Sequence, residues 1–297
     1  MSAARLGSVR VGGGEPVAVI GVINLSPDSF YAGSVVRGLS AIRKRAREMV
    51  EQGASMIDVG AMGTGPKSKP VPAEKEMREL IPAIKLLAAD LDVPLSADTQ
   101  RAEVAEAAIE AGATVINDIS GLKTDSRMAE VIARAGCSAL LMAAEHAPGD
   151  VYEISEIRRA LRKSLDICRN HGIPLNRVVI DPAVGFWPAR LARLGSLAKK
   201  RVRERPYSFA TLLDLRILAE LRELEPLGRP ICVGVSRKSF IGEVLGLPRP
   251  EHRLTGSLAA TAIAVFNGAS AIRTHDVRET LQAVRLAEAV REAGGRK

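Results

Sequence analysis

One unit recurs along this chain: a helical stretch that ends in glycine and passes within a few residues into a short β-rich run. Gln52-Gly53-Ala54 leads into residues 56–59, Ala111-Gly112-Ala113 into 115–119, and Ala135-Gly136-Cys137 into 139–142. His171-Gly172-Ile173 and Asn267-Gly268-Ala269 stand in the same way before 178–180 and 271–273. Glycine suits the left-handed position that closes a helix, so a strand can follow directly. The repeat is roughly the ~30-residue size of a βα element. Eight strands are predicted, at 17–23, 56–59, 94–97, 115–119, 139–142, 178–181, 231–235 and 271–273. Most are apolar throughout, as parallel strands covered on both faces must be. Amphipathic helices lie between them. Leu39, Ile42, Met49 and Val50 mark one apolar face, and Val277, Leu281, Val284 and Ala287 mark the last. Eight alternating units predict an α/β fold, a single-domain (β/α)₈ barrel. A doubly wound open sheet competes, but no Gly-x-Gly-x-x-Gly follows the first strand. Residues 1–16 read as an N-terminal extension, with Gly12, Gly13 and Gly14 as a flexible turn before strand one.

Composition narrows the class. The 297 residues are 46% hydrophobic but only 3% aromatic, so the core must be aliphatic and a disordered chain is excluded. No apolar run approaches the ~18 residues that cross a bilayer, so no membrane association is expected. The first eleven residues lack an apolar signal segment, which predicts a cytoplasmic protein. The three cysteines, Cys137, Cys168 and Cys232, are scattered and read as small buried hydrophobes. His146, His171, His252 and His275 show no paired spacing, which argues against a preassembled zinc site. Net charge is +8, but stacking aromatics and a reading helix are missing, so no nucleic-acid partner is expected. Three glutamines and five asparagines, with abundant charge, point to a thermophile's hot environment.

In a barrel of this kind, chemistry sits where strands end. Polar residues recur at that phase. Strand one runs into Asn24, strand three into Asp98, strand four into Asn117-Asp118, and strand six into Asp181. Strand seven runs into Ser236-Arg237-Lys238 and strand eight into Arg273-Thr274-His275-Asp276. Strand five gives only Met142-Ala143-Ala144. Asp58 sits inside an apolar run and reads as structural. Taken singly, Asp98 or Asp276 before a helix reads as an N-cap, and Asn117-Asp118 as a turn. Taken jointly, the ring reads as a site. Asp98, Asn117 and Asp181 offer acceptors to the amino and ring N–H groups of a heterocycle. Lys238, Arg273 and His275 form a cationic corner on the last two strands, where barrels commonly bind phosphate. An aromatic nitrogen heterocycle carrying phosphate satisfies both halves.

Two features read as decoys. Gly60 to Ser68 nearly spells a P-loop, but Pro66 separates the final glycine from Lys67. The basic segment 190–205, from Arg190 through Lys199 and Lys200 to Arg205, reads as a solvated face or as a recruiter of an anionic partner.

Several of these segments resemble known signatures. Gly21-Val22-Ile23-Asn24-Leu25-Ser26-Pro27-Asp28-Ser29-Phe30 is similar to the first signature of the dihydropteroate synthases, a pterin-binding enzyme family. Gly234-Val235-Ser236-Arg237-Lys238-Ser239-Phe240-Ile241-Gly242 resembles a later one, and Arg273-Thr274-His275 the terminal Arg-x-His. Ser96-Ala97-Asp98-Thr99, Asn117-Asp118-Ile119-Ser120-Gly121 and Asp181-Pro182-Ala183-Val184-Gly185-Phe186 fall in order between them. The resemblance covers nearly the whole chain.

It implies a transferase of folate biosynthesis that joins 6-hydroxymethyl-7,8-dihydropterin diphosphate to 4-aminobenzoate and releases diphosphate with Mg²⁺. By motif, Asp98, Asn117, Asp181 and Lys238 would hold the pterin. Asn24, Arg273 and His275 would take the diphosphate, with Asn24 also on the metal. Phe30, Thr64, Phe186, Ser236 and Arg237 would border the aryl amine. Lys238, Arg273 and His275 would be the catalytic groups, and a homodimer is implied. Four loops depart from the family pattern. Met62-Gly63-Thr64-Gly65-Pro66 stands where Glu-Ser-Thr-Arg-Pro is usual, and Ala32 replaces an acid after Phe30. Met142-Ala143-Ala144 replaces Met-His-Met, and Trp187-Pro188 replaces Gly-Lys. A related amine, with charge supplied by Lys67, Lys69 or Arg190, is a variant of the same reading. Two alternatives are a reduced-pterin methyltransferase and a non-catalytic pterin-binding protein; the cationic corner argues against the first, which has no diphosphate to hold.

Overall fold

A computed structural model describes residues 2–26, 36, 38–63, 71–186 and 207–295. Two short strands, β1 (Ala4–Leu6) and β2 (Val9–Val11), form an antiparallel hairpin. Eight parallel strands follow: β3 (Ala18–Asn24), β4 (Met56–Gly60), β5 (Leu95–Asp98), β6 (Val115–Asp118), β7 (Ser138–Met142), β8 (Val178–Asp181), β9 (Ile231–Gly234) and β10 (Ala269–Thr274). They pair in chain order, and β10 returns to β3 to close the barrel. The closed ring excludes the open sheet, and each strand lies within about two residues of its predicted bounds. The recurring glycines perform as expected: Gly53, Gly112, Gly136, Gly172 and Gly268 all have positive φ.

Helices cover the outside: α1 (Leu39–Glu51), α2 (Ala73–Ala88), α3 (Ala102–Glu110), α4 (Met128–Ala135), α5 (Ile154–Asn170), α6 (Phe209–Ala219), α7 (Ser239–Leu245), α8 (Leu254–Phe266) and α9 (Val277–Ala293). On α1 the buried face is Ile42, Ala46 and Met49, while Leu39, predicted to face the core, is largely exposed. Cys137, Cys168 and Cys232 are free and buried, and burial pushes each thiol upward. Among the described residues no helix is long and apolar enough to cross a membrane.

The N-terminal segment has structure of its own ahead of the Gly12–Gly14 turn, whose three glycines all have positive φ. Leu6 faces Val9 across a two-residue Gly7-Ser8 loop, and Gly7 takes φ +59°, the left-handed value such a loop requires. A Cβ there would lie 2.7 Å from the side chains of Pro94 and Thr114. Ala4, Leu6 and Val11 pack against Ala18, Ile20, Met56, Val115, Leu140, Val179, Cys232 and Ala271, all fully or nearly fully buried. The hairpin therefore plugs the amino-terminal end of the barrel, and these strand residues line the lower part of its interior, with Ala18 one layer below Ile20.

Candidate active site

Side chains alternate along a strand, so the residue two positions beyond each lower-layer residue points the same way, one layer nearer the carboxyl ends. Met56 is followed by Asp58, Val115 by Asn117, Val179 by Asp181 and Ala271 by Arg273. Ser96 is followed by Asp98, which sits in register with Gly60 on one side and Asn117 on the other. A closed barrel with an aliphatic lower layer thus carries a polar upper layer. Its centre is Arg273, in register with Gly234, which offers no side chain to crowd it.

Arg273 Nη2 donates to Oδ2 of Asp58 and, at 3.0 Å, to Oδ2 of Asp98. Asn117 Nδ2 donates to the same Asp58 oxygen at 3.2 Å. Among the described residues, Asp58 Oδ1 and Arg273 Nε are buried without a hydrogen-bond partner. Two carboxylates share one largely buried guanidinium, which sets the charge balance. Burial pushes the Asp98 carboxyl up to about 7, with Arg273 pulling it back and Asp58 adding to the rise. Burial opposes the charge on Arg273, but Asp58 and Asp98 outweigh it and raise its pKa. Asp181 is also raised by burial; its Oδ1 accepts the Ala183 amide at 2.7 Å, and the nearby cations Arg273 and Lys238 offset part of the shift. The upper layer is a ring of acceptors around one fixed cation, with affinity for protons as well as for N–H donors.

The loops after β9 and β10 meet beside this ring. Asn24 Nδ2 lies 3.2 Å from His275 Nε2, and Ser236 Oγ lies 2.9 Å from His275 Nδ1. An amide nitrogen only donates, so Nε2 is the accepting nitrogen and Nδ1 carries the hydrogen toward Ser236. Burial lowers the His275 pKa to about 4, so the imidazole is neutral at neutral pH. Arg45 of α1 anchors the loop by donating to the His275 carbonyl at 2.7 Å. Lys238 Nζ stands 4.5 Å above the centre of the Phe186 ring. Its stem runs over Gly185, whose φ is +80° and whose missing Cβ would fall 2.5 Å from Lys238 Cδ.

The predicted ring is therefore brought together, with differences. Asp98 and Asp276 are not acting as side-chain caps: Asp98 binds Arg273, and Asp276, at the start of α9, makes no cap bond but binds Arg237. Asp118 turns its carboxylate to the amides of Ser120 and Leu122, the turn role expected of it. Arg237, predicted at the amine border, is 6% exposed and commits every guanidinium nitrogen to Asp276 or to the carbonyls of Pro250 and Glu251. Arg273, predicted at the leaving group, has its Nη2 in the acid ring. Asp58, read as structural, is one residue the sequence reading left out of the site. Its signal was parity, since it stands two beyond Met56 as Asp98 stands two beyond Ser96. Asp150 was missed as well: it accepts the amides of Glu145, His146 and Ala147, and the turn it closes sets Gly149 against the Phe186 backbone. Phe30, Thr64, Lys67, Lys69 and the basic segment 190–205 lie outside the described residues.

Fold and site define a class: a (β/α)₈ enzyme that presents a buried acid–arginine ring and a cationic corner at the carboxyl ends of its strands. A family model described as "Pterin binding enzyme" matches residues 20–275. Dihydropteroate synthase from Synechocystis is 34% identical over 286 residues, covering 93% of this chain and 91% of that protein. The Escherichia coli dihydropteroate synthase is 34% identical over 282 residues, covering 93% and 92%. Among solved structures, the Yersinia pestis dihydropteroate synthase with a sulfonamide drug has a TM-score of 0.83 at 31% identity, covering 98% of this chain and 100% of that one. The Xanthomonas albilineans enzyme with 4-aminobenzoic acid scores 0.80 at 33% identity, covering 97% and 98%. The chain belongs to the dihydropteroate synthase family of pterin-binding enzymes, and is a transferase.

Proposed function

We propose that this protein condenses 6-hydroxymethyl-7,8-dihydropterin diphosphate with 4-aminobenzoate, releasing diphosphate. The observation that carries the reading is the ring of Asp58, Asp98, Asn117 and Asp181 around Arg273. A pterin offers an amino group and ring N–H donors along one edge, which suit buried carboxylate and amide oxygens. Lys238, held over Phe186, would close the other face.

In the transfer, the bond from the pterin methylene carbon to the diphosphate oxygen breaks and a bond from that carbon to the amine nitrogen forms. The amine's proton passes to solvent, and diphosphate leaves with the electron pair of the broken C–O bond. Positive charge grows on the methylene, which the carboxylate ring tolerates, while negative charge grows on the leaving group. Arg273 and Lys238 would supply the positive charge that stabilises it, and the neutral His275 would orient Asn24 beside it. Phe186 and Ser236, at the loop edges, would border the amine, joined by Phe30 and Thr64. No covalent enzyme intermediate is required.

Mg²⁺ belongs to the same reading. Among the described residues no group of three His, Cys, Asp or Glu could cage a metal. Mg²⁺ commonly sits on one or two protein oxygens with substrate phosphates and water. Asn24 fits that mode: its amide nitrogen faces His275, and its other polar atom is an oxygen. Bound with the diphosphate, the ion would supply charge neutralisation for the leaving group.

A homodimer is the remaining part. Ile263 on α8 and Leu286 and Val290 on α9 are exposed apolar residues on two helices packed together. Sedimentation at micromolar concentration is expected to give twice the monomer mass. The reaction is tested by diphosphate release from purified protein with Mg²⁺ and the pterin diphosphate, with and without 4-aminobenzoate. Amine-dependent release with a dihydropteroate product is expected. Tight pterin binding without release would instead favour the non-catalytic alternative.

A further inference from the structure

The stretch from Ser236 to Lys238 poses a physical question. Arg237 is not glycine, yet its φ is +55°, a left-handed conformation that costs an ordinary residue on the order of 1 kcal/mol. Something must hold it there. Its Nε and Nη2 each donate at 2.8 Å to the two carboxylate oxygens of Asp276, a bidentate pair with side chains 7% and 17% exposed. Nη1 donates to the Glu251 carbonyl at 2.8 Å, the Arg237 amide donates to Ser257 Oγ at 2.8 Å, and its carbonyl accepts from Arg253 Nη1 at 3.1 Å. Backbone and side chain are both over-determined. The consequence lies at its two neighbours. With Arg237 turned inward, Ser236 reaches the His275 ring and Lys238 reaches Phe186. Asp276, which holds Arg237, is itself the next residue after His275.

We infer that Arg237 and Asp276 are positioning residues, a clip that ties the β9 loop to the β10 loop and so sets Ser236 on His275 Nδ1 and Lys238 over Phe186. This rests on the proposed reading of the site, and it gives Arg237 a role other than contact with the amine. The Asn24 amide makes Nε2 the acceptor, and the clip holds Ser236 Oγ where it accepts the hydrogen on Nδ1, so the two contacts together fix one tautomer.

The test uses three variants of the full-length protein. Arg237→Gly keeps the left-handed backbone and deletes the fork, Asp276→Asn keeps the shape and removes the charge, and Arg237→Lys keeps the charge but makes one bond rather than two. The first readout is the His275 tautomer at one fixed neutral pH, from imidazole ¹⁵N chemical shifts. The second is the split between kcat and KM for 4-aminobenzoate. The clip predicts that Arg237→Gly and Asp276→Asn lose the single tautomer and lower kcat by about 10- to 100-fold, the range expected for groups displaced by up to an ångström. Arg237→Lys should fall between them and the wild type, which keeps the test alive should either of the others fail to fold. A raised KM for the amine in Arg237→Gly, with the tautomer unchanged and Asp276→Asn silent, would overturn the clip and return Arg237 to the amine border. Were the wild type to release no diphosphate, the functional reading would fall, and the tautomer alone would still decide the clip.

Discussion

At the scale of single residues, the upper layer of the barrel is a place where binding is favoured at the expense of stability. Asp98 ionises near 7 in the fold, and an aspartate in an unfolded chain does so near 3.9. Between those values the unfolded chain has released a proton that the folded chain keeps, so this group's stability contribution is lost as pH rises through that window. Asp98→Asn should therefore gain on the wild type between pH 4 and pH 8 by up to about 4 kcal/mol, about three pKa units at about 1.4 kcal/mol each. Urea unfolding of both proteins across that range checks it, and parallel curves would contradict it. The same variant should lose pterin affinity. Asp58 has a different part. It lends one oxygen to both Arg273 and Asn117, so Asp58→Ala leaves the buried cation with Asp98 as its ion-pair partner among the described residues and should cost about 3–5 kcal/mol in chemical denaturation. Asp98, Asn117, Asp181 and Arg273 were legible in the sequence because each follows an apolar strand. Asp58 was not, because Val59 and Gly60 continue the strand beyond it and hide the change of layer.

Elements explain how that layer is held. The lower layer is closed by the β1–β2 hairpin, whose strands are three residues each, too short to give a periodic signal. Its alternation was present, with Leu6 and Val9 flanking Gly7-Ser8, but a repeat of eight larger units dominates any reading of the chain. Leu6 is 1% exposed at the centre of the plug, so Leu6→Ala should destabilise the protein by about 2–5 kcal/mol in urea unfolding, with the affinity of the remaining folded protein for pterin unchanged. At the other end, Gly185 marks where the β8 loop passes under Lys238. Gly185→Ala must push the Lys238 stem aside and pay for a positive φ, so it should weaken pterin binding by at least about tenfold at a modest cost in stability. Calorimetric titration separates the two effects. Unaltered affinity would mean that Lys238 does not need this seat.

For the whole molecule, the strand repeat made the barrel legible, because eight apolar runs spaced by amphipathic helices admit few other arrangements. What the repeat could not convey is which polar side chains meet, since that depends on register around a closed ring. Gly60 stands level with Asp98, Asp98 with Asn117, and Arg273 with Gly234, and only closure brings Arg273 to Asp58 and Asp98 together. The account's central claim is that this ring holds the pterin. The measurement that tests it most directly is calorimetric titration of 6-hydroxymethyl-7,8-dihydropterin diphosphate into the wild type and into Asp181→Asn, with circular dichroism to establish that both are folded. If Asp181 accepts pterin N–H groups as proposed, removing its carboxylate should weaken binding by about 30-fold or more, equivalent to about 2 kcal/mol. Near-native affinity in folded Asp181→Asn would place the pterin elsewhere and contradict the account.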